Sequence, residues 1–116
     1  VIVDIIIALE MLLSDQEKSE ITHKLAMRIA ALLGTYSRDR FNPEHVFTNV
    51  KKIYSYRSSI IHGSHKVNKA REIKLEENVS VPSVDIARTY LSEVLKILIS
   101  NPIYFSSVNI DKLLLN

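Results

Sequence analysis

Two residues near the middle of the chain, Arg57 and His62, supply the groups that metal-free phosphodiester cleavage most needs. Histidine, with an ordinary pKa of about 6.5, takes the proton from a ribose 2′-hydroxyl or returns one to the departing oxygen. Arginine's planar fork holds the non-bridging phosphate oxygens as negative charge builds on them. An Arg and a His five positions apart are a weak signal alone, because chance produces such pairs in many chains. On a regular helix, positions 57 and 62 lie about 140° apart around the axis. One chain therefore brings both groups to one phosphate only if the helix end is distorted. Two chains related by a two-fold axis could instead present two Arg and two His around a shared cleft, giving a separate acid and base.

The elements that must position these residues are helices. Two glycines and three prolines in 116 residues leave few breaks, and 47% hydrophobic content suits one domain with its own core. A first helix is expected over Val1 to Leu13, apolar on nearly all sides and therefore surrounded by others. A second is capped by Ser19, repeats Ile21, Leu25, Ile29 and Leu32, and ends at Gly34. The third has the clearest start, Asn42 as cap and Pro43 at the first helical position, and Gly63 as its stop. Phe47, Val50, Tyr54 and Ile61 form its apolar stripe, and His62 falls at its last turn. Residues 64 to 81 show no clean period and read as a long, mobile, basic loop. A helix from Ser83 to Asn101, with Val84, Ala87, Leu91, Val94, Leu95 and Leu98 on one face, and a short one from Val108 to Leu115 complete an all-α bundle of four to five helices.

Charge is uneven along the chain. Between Arg38 and Lys74 nine basic residues face three acidic ones, so this stretch carries +6 of the total +2 and the remainder −4. Such asymmetry suggests a basic face for a polyanion, with an ordinary solvated surface as the alternative. Lys66, Lys69 and Arg71 in the loop are the expected phosphate contacts. The chain holds no cysteine, which excludes a disulfide scaffold or thiolate zinc site and fits a cytoplasmic setting. The first apolar run is too short for a bilayer and has no signal-peptide features, so no membrane partner is expected. Starting at Val1 with the pattern under way, the chain reads as one domain, residues 1 to 116, of a longer protein.

The string Arg57-Ser-Ser-Ile-Ile-His62 matches the Arg-x(4 to 6)-His motif, and with the flanking Gly63 the chain resembles the HEPN superfamily, in particular its Apea-like branch. Ala8-Leu9-Glu10-x-Leu12-Leu13, Leu25-Ala26-x-Arg28 and Gly34 agree in order and spacing, so the resemblance covers essentially the whole chain. It implies a helical bundle that dimerises, with the motif Arg and His of both subunits in one cleft acting as a metal-independent endoribonuclease. It also implies a setting of phage defence or toxin-type regulation, with a sensor part elsewhere in the same protein. Other family members have lost activity and only bind. The position after the motif Arg, usually Asn, Asp or His in the family, is Ser58 here.

Glu10 lies in an otherwise apolar helix, where an unpaired carboxylate is costly. Its expected partner is Arg57, a functional arrangement, or Arg28, a structural one, with Arg28 otherwise read as a surface residue. His62 and His65 could share a metal ion, but no carboxylate follows at a ligand-like spacing, so neither metal nor cofactor is expected. His23 and His45 read as solvated. Tyr54 reads as core, and Tyr56 divides evenly between core and a platform for unpaired bases. The leading expectation is an RNA-cleaving homodimer with Arg57 and His62 catalytic and Ser58 and Glu10 in support. The alternatives are a non-catalytic RNA-binding or dimerisation module and a plain helical interaction domain.

Overall fold

The computed structural model describes residues 1–14, 20–63, 71–76 and 79–115. Among these, five α-helices surround one core: α1 (Ile2–Leu13), α2 (Ile21–Tyr36), α3 (Pro43–His62), α4 (Ser83–Ser100) and α5 (Ser107–Lys112). A two-stranded antiparallel hairpin, β1 (Glu72–Glu76) with β2 (Val79–Pro82), is inserted between α3 and α4, and 3₁₀ turns flank α5. The fold is thus the expected all-α bundle, with a small sheet added. None of the described helices is long and apolar enough to cross a membrane.

Helical spacing of apolar residues builds the core. In α1, Ile2, Ile5, Ile6, Leu9 and Leu13 are buried. They meet Leu25, Ile29, Leu32 and Leu33 of α2, Val46, Val50 and Ile53 of α3, and Val94 and Leu98 of α4 in one cluster. The most extensive helix pair is α2 on α3. At the start of α3 the Asn42 side chain accepts hydrogen bonds from the N–H groups of Glu44 and His45, at 2.9 and 3.2 Å. At its end Gly63 adopts the left-handed conformation, φ 61°, and caps the last turn. Both boundaries of the site-bearing helix therefore lie where the sequence puts them.

Three readings are corrected. Gly34 does not end α2: the helix continues to Tyr36, and Ser37 is its cap. The glycine is needed for a different reason, since a Cβ there would lie 2.5 Å from Cγ of Pro43, where the two helices approach. The segment 64–81 is not loop throughout, because β1 and β2 pair Ile73 with Val81 and Lys74 with Ser80, with an irregularity between Lys74 and Glu76. Ile73, 1% exposed, anchors the hairpin in the core. Arg28 is not a surface residue but is 4% exposed. Its Nε and Nη2 donate to the two carboxylate oxygens of Asp111 at 2.9 and 3.0 Å, and Nη1 donates to the Leu13 carbonyl at 2.9 Å. Ser19, the expected cap of α2, is outside the described residues.

The stripes also end sooner than their periodicity suggests. Ile61 is 54% exposed and its neighbour Ile60 40%, in the last turn of α3. On α4, Leu95 is likewise exposed, while Tyr90 and Ile97 point inward.

Candidate functional site

The C-terminal half of α3 and the first turn of α2 border an open groove of about 470 Å³, lined by Ile21, Thr22, Lys51, Tyr54, Arg57 and Ser58 among others. Lys51, Tyr54 and Ser58 share this side because they stand at i, i+3 and i+7 on one helix. Among the described residues no side chain caps the first turn of α2, and its Ile21 and Thr22 border the same region as Lys51. That combination favours an anion.

Arg57 is held partly inward. Its Nη1 lies 3.9 Å from Oε1 of Glu10 on α1, and the two side chains are 28% and 22% exposed. The guanidinium carbon stands 5.9 Å from the centre of the Tyr54 ring, and the buried Nε has no hydrogen-bond partner among the described residues. Tyr54 donates a short hydrogen bond from its hydroxyl to Glu10. Burial, and then that bond to Glu10, push the Tyr54 phenol far above its usual range against the opposing pull of Arg57, so it stays protonated and neutral. Of the two cations the sequence offers Glu10, the structure gives it Arg57, with a tyrosine as the closer partner.

His62 is the last residue of α3, as expected from the sequence. The helix remains regular up to it, so positions 57 and 62 stay about 140° apart around the axis, and no distortion of the helix brings them together. Ser58 is exposed and borders the groove. Arg71 is exposed just before β1, where its carbonyl accepts from the Ser83 N–H at 2.7 Å, and it does not line the groove. Lys66 and Lys69 lie outside the described residues, as does His65.

Tyr54 and Tyr56 are both 8% exposed, so neither offers a free face for stacking on a base. His23 and His45 are exposed, and the His23 ring meets Phe47 edge-on at 5.5 Å. Among the described residues no three His, Cys, Asp or Glu side chains are grouped to hold a metal ion. Lys51 is the groove residue that the sequence reading passed over. Its signal was present in the spacing to Tyr54 and Ser58, and its ammonium rests 4.9 Å from the Phe47 ring centre.

No family model matches the chain, and neither a curated protein nor a solved structure matches it.

Proposed function

We propose that this chain is a HEPN-type, metal-independent endoribonuclease that acts as a homodimer and is the effector part of a longer cytoplasmic protein used in phage defence or toxin-type regulation. One observation carries the dimeric form of the reading: α3 stays helical through His62 and holds position 62 well around the axis from Arg57. A single subunit with that geometry does not focus both groups on one phosphate, whereas a two-fold pair of helix ends can. The exposed Ile60 and Ile61 beside the motif supply apolar area for such a pairing. In the reaction, His62 takes the 2′-hydroxyl proton as that oxygen attacks phosphorus. The partner's histidine protonates the leaving 5′-oxygen, and a 2′,3′-cyclic phosphate forms with no water consumed. Arg57 stabilises the phosphorane oxygens, while Ser58, Lys51, Lys66, Lys69 and Arg71 hold flanking phosphates.

The proximity of Arg57 to Glu10 favours a second reading, in which the cation is committed to a structural pair and the domain binds RNA or dimerises without cutting. Incubating the purified chain with RNA in EDTA separates the two. The nuclease reading expects cyclic-phosphate ends, no cleavage by His62→Ala with RNA affinity largely kept, and a dimer in sedimentation. A His62→Ala protein that cuts at the wild-type rate ends the assignment.

A further inference from the structure

The N-terminal half of α3 borders a second, partly open cavity, of about 360 Å³, lined also by the α2–α3 connection, the hairpin and the first turns of α4. Asn49, two turns and more before Arg57, is displaced from it by about 12 Å along the helix axis. The two sites are therefore separate. The size falls in the range of small-molecule pockets.

Its polar groups carry unused hydrogen-bonding capacity. Asn49 and Tyr90, 8% and 4% exposed, both line the cavity. The Asn49 amide nitrogen donates to the Tyr90 hydroxyl oxygen at 3.1 Å. Tyr90 thus acts there as acceptor, and its own proton has no acceptor among the described residues. Burial pushes its phenol up, against the lowering effect of the Asn49 bond, so that proton is retained. The Asn49 side-chain oxygen likewise has no donor among the described residues, and it is not sealed from solvent. One donor and one acceptor, fixed to each other, therefore stand side by side on largely buried side chains, with capacity free for a ligand that reaches the cavity.

Apolar side chains form much of the remaining lining. The rings of Phe41 and Tyr90 meet edge to face at 5.9 Å, and Leu75 and Val81 of the hairpin form another wall. Charges at the mouth are internally compensated: Arg40 pairs with Glu93 at 2.7 Å, and Asp85 with Arg88 at 3.9 Å. The cavity consequently offers a planar molecule a neighbouring donor and acceptor, and of the basic side chains lining it among the described residues Arg40 is already paired, which leaves His45.

We propose that this cavity is a binding site for an uncharged nucleobase-type heteroaromatic, a free base or nucleoside, whose adjacent acceptor and donor meet the Tyr90 hydroxyl and the Asn49 carbonyl. The Watson–Crick edge of every nucleobase carries such a pair, and the aromatic and hairpin walls take its faces.

Titrating the ¹⁵N-labelled chain with adenosine, cytidine, guanosine and uridine to millimolar concentration tests this. At least one is expected to shift the Asn49 side-chain amide and the backbone amides near Tyr90 and Val81 saturably. Tyr90→Phe should weaken that binding about tenfold, the loss of one hydrogen bond worth about 1.4 kcal/mol. Thr89→Trp, at an exposed helical position on the rim, should block entry with the fold intact. Cleavage of RNA, if present, should be unchanged in Thr89→Trp, so failure here is distinguishable from failure of the nuclease reading. No saturable shift with any of the four, shifts confined to the Lys51–Arg57 groove, or full binding by Thr89→Trp would overturn the proposal.

Discussion

Arg57 on the third helix and Glu10 on the first face each other at 3.9 Å, the outer limit of an ion pair, while the Tyr54 hydroxyl holds the same carboxylate more closely. Glu10 is therefore anchored by the tyrosine and only loosely engaged with the guanidinium. A phosphate reaching Arg57 competes with a weak partner. Glu10→Gln keeps an oxygen for Tyr54 and removes the competing charge, so RNA affinity should rise severalfold, as expected for a partly exposed pair worth up to about 1 kcal/mol. Fluorescence anisotropy at fixed low salt measures this. Unchanged or weaker binding would show that Arg57 does not meet phosphate.

Arg28→Ala should cost about 2–4 kcal/mol of stability, because it strands the Leu13 carbonyl and breaks a forked ion pair whose cation is 5% exposed. Arg28→Lys should recover only part, since an ammonium cannot reproduce the fork. Urea unfolding of the three proteins tests the order wild type, Lys, Ala. An alanine variant as stable as wild type would make the contact incidental.

Gly34→Ala sets two effects in opposition. Alanine is the better helix former by about 1 kcal/mol, but its methyl would sit 2.5 Å from the rigid Pro43 ring. Forcing α2 and α3 apart should win, with a net loss of about 1–3 kcal/mol. Combining it with Pro43→Ala should relieve most of that loss, and thermal unfolding reads both.

Glu93 makes stability depend on pH at the acid end. Burial pushes its carboxyl up, but Arg40 at 2.7 Å, Ser37 at 3.2 Å and Lys96 at 3.6 Å together outweigh that and hold it below the usual carboxylate range. The folded value lies under the unfolded one, so this contribution is fully present above the ordinary value of 4.5 and disappears as pH falls through the lower folded value. Glu93→Gln should lose about 1–3 kcal/mol near neutrality and flatten the acid limb of the melting curve against pH. An unchanged acid limb would mean another carboxylate controls it.

What the sequence disclosed follows from the range of the forces involved. Asn42-Pro43 and Gly63 act on their own turn, so the limits of α3 and the position of His62 were readable directly. Gly34 resembles a stop signal by type, and what decides its role is Pro43 on another helix. The fate of Arg28 depends on an aspartate 83 positions away. The hairpin strands are short, β1 alternates charge with single apolar residues while β2 has no charged residue, and the sequence between them, Glu77-Asn78, lacks the glycine that marks a tight turn. Lys51 needed only helical spacing to be found. The tyrosine between Glu10 and Arg57 needed the packing of α1 on α3.

The Arg28 fork also has a consequence in time. It joins the end of α1, the middle of α2 and α5, and so closes a ring through nearly the whole domain. During synthesis the first two helices emerge early, but the carboxylate of Asp111 comes after the other four helices of the bundle. Until then a cation destined for the interior lacks its carboxylate partner, and the nascent bundle is incomplete at that corner. The last helix acts as the latch that completes the domain, and a ribosome stalled before it would leave a chain with most of its helices and none of its closure.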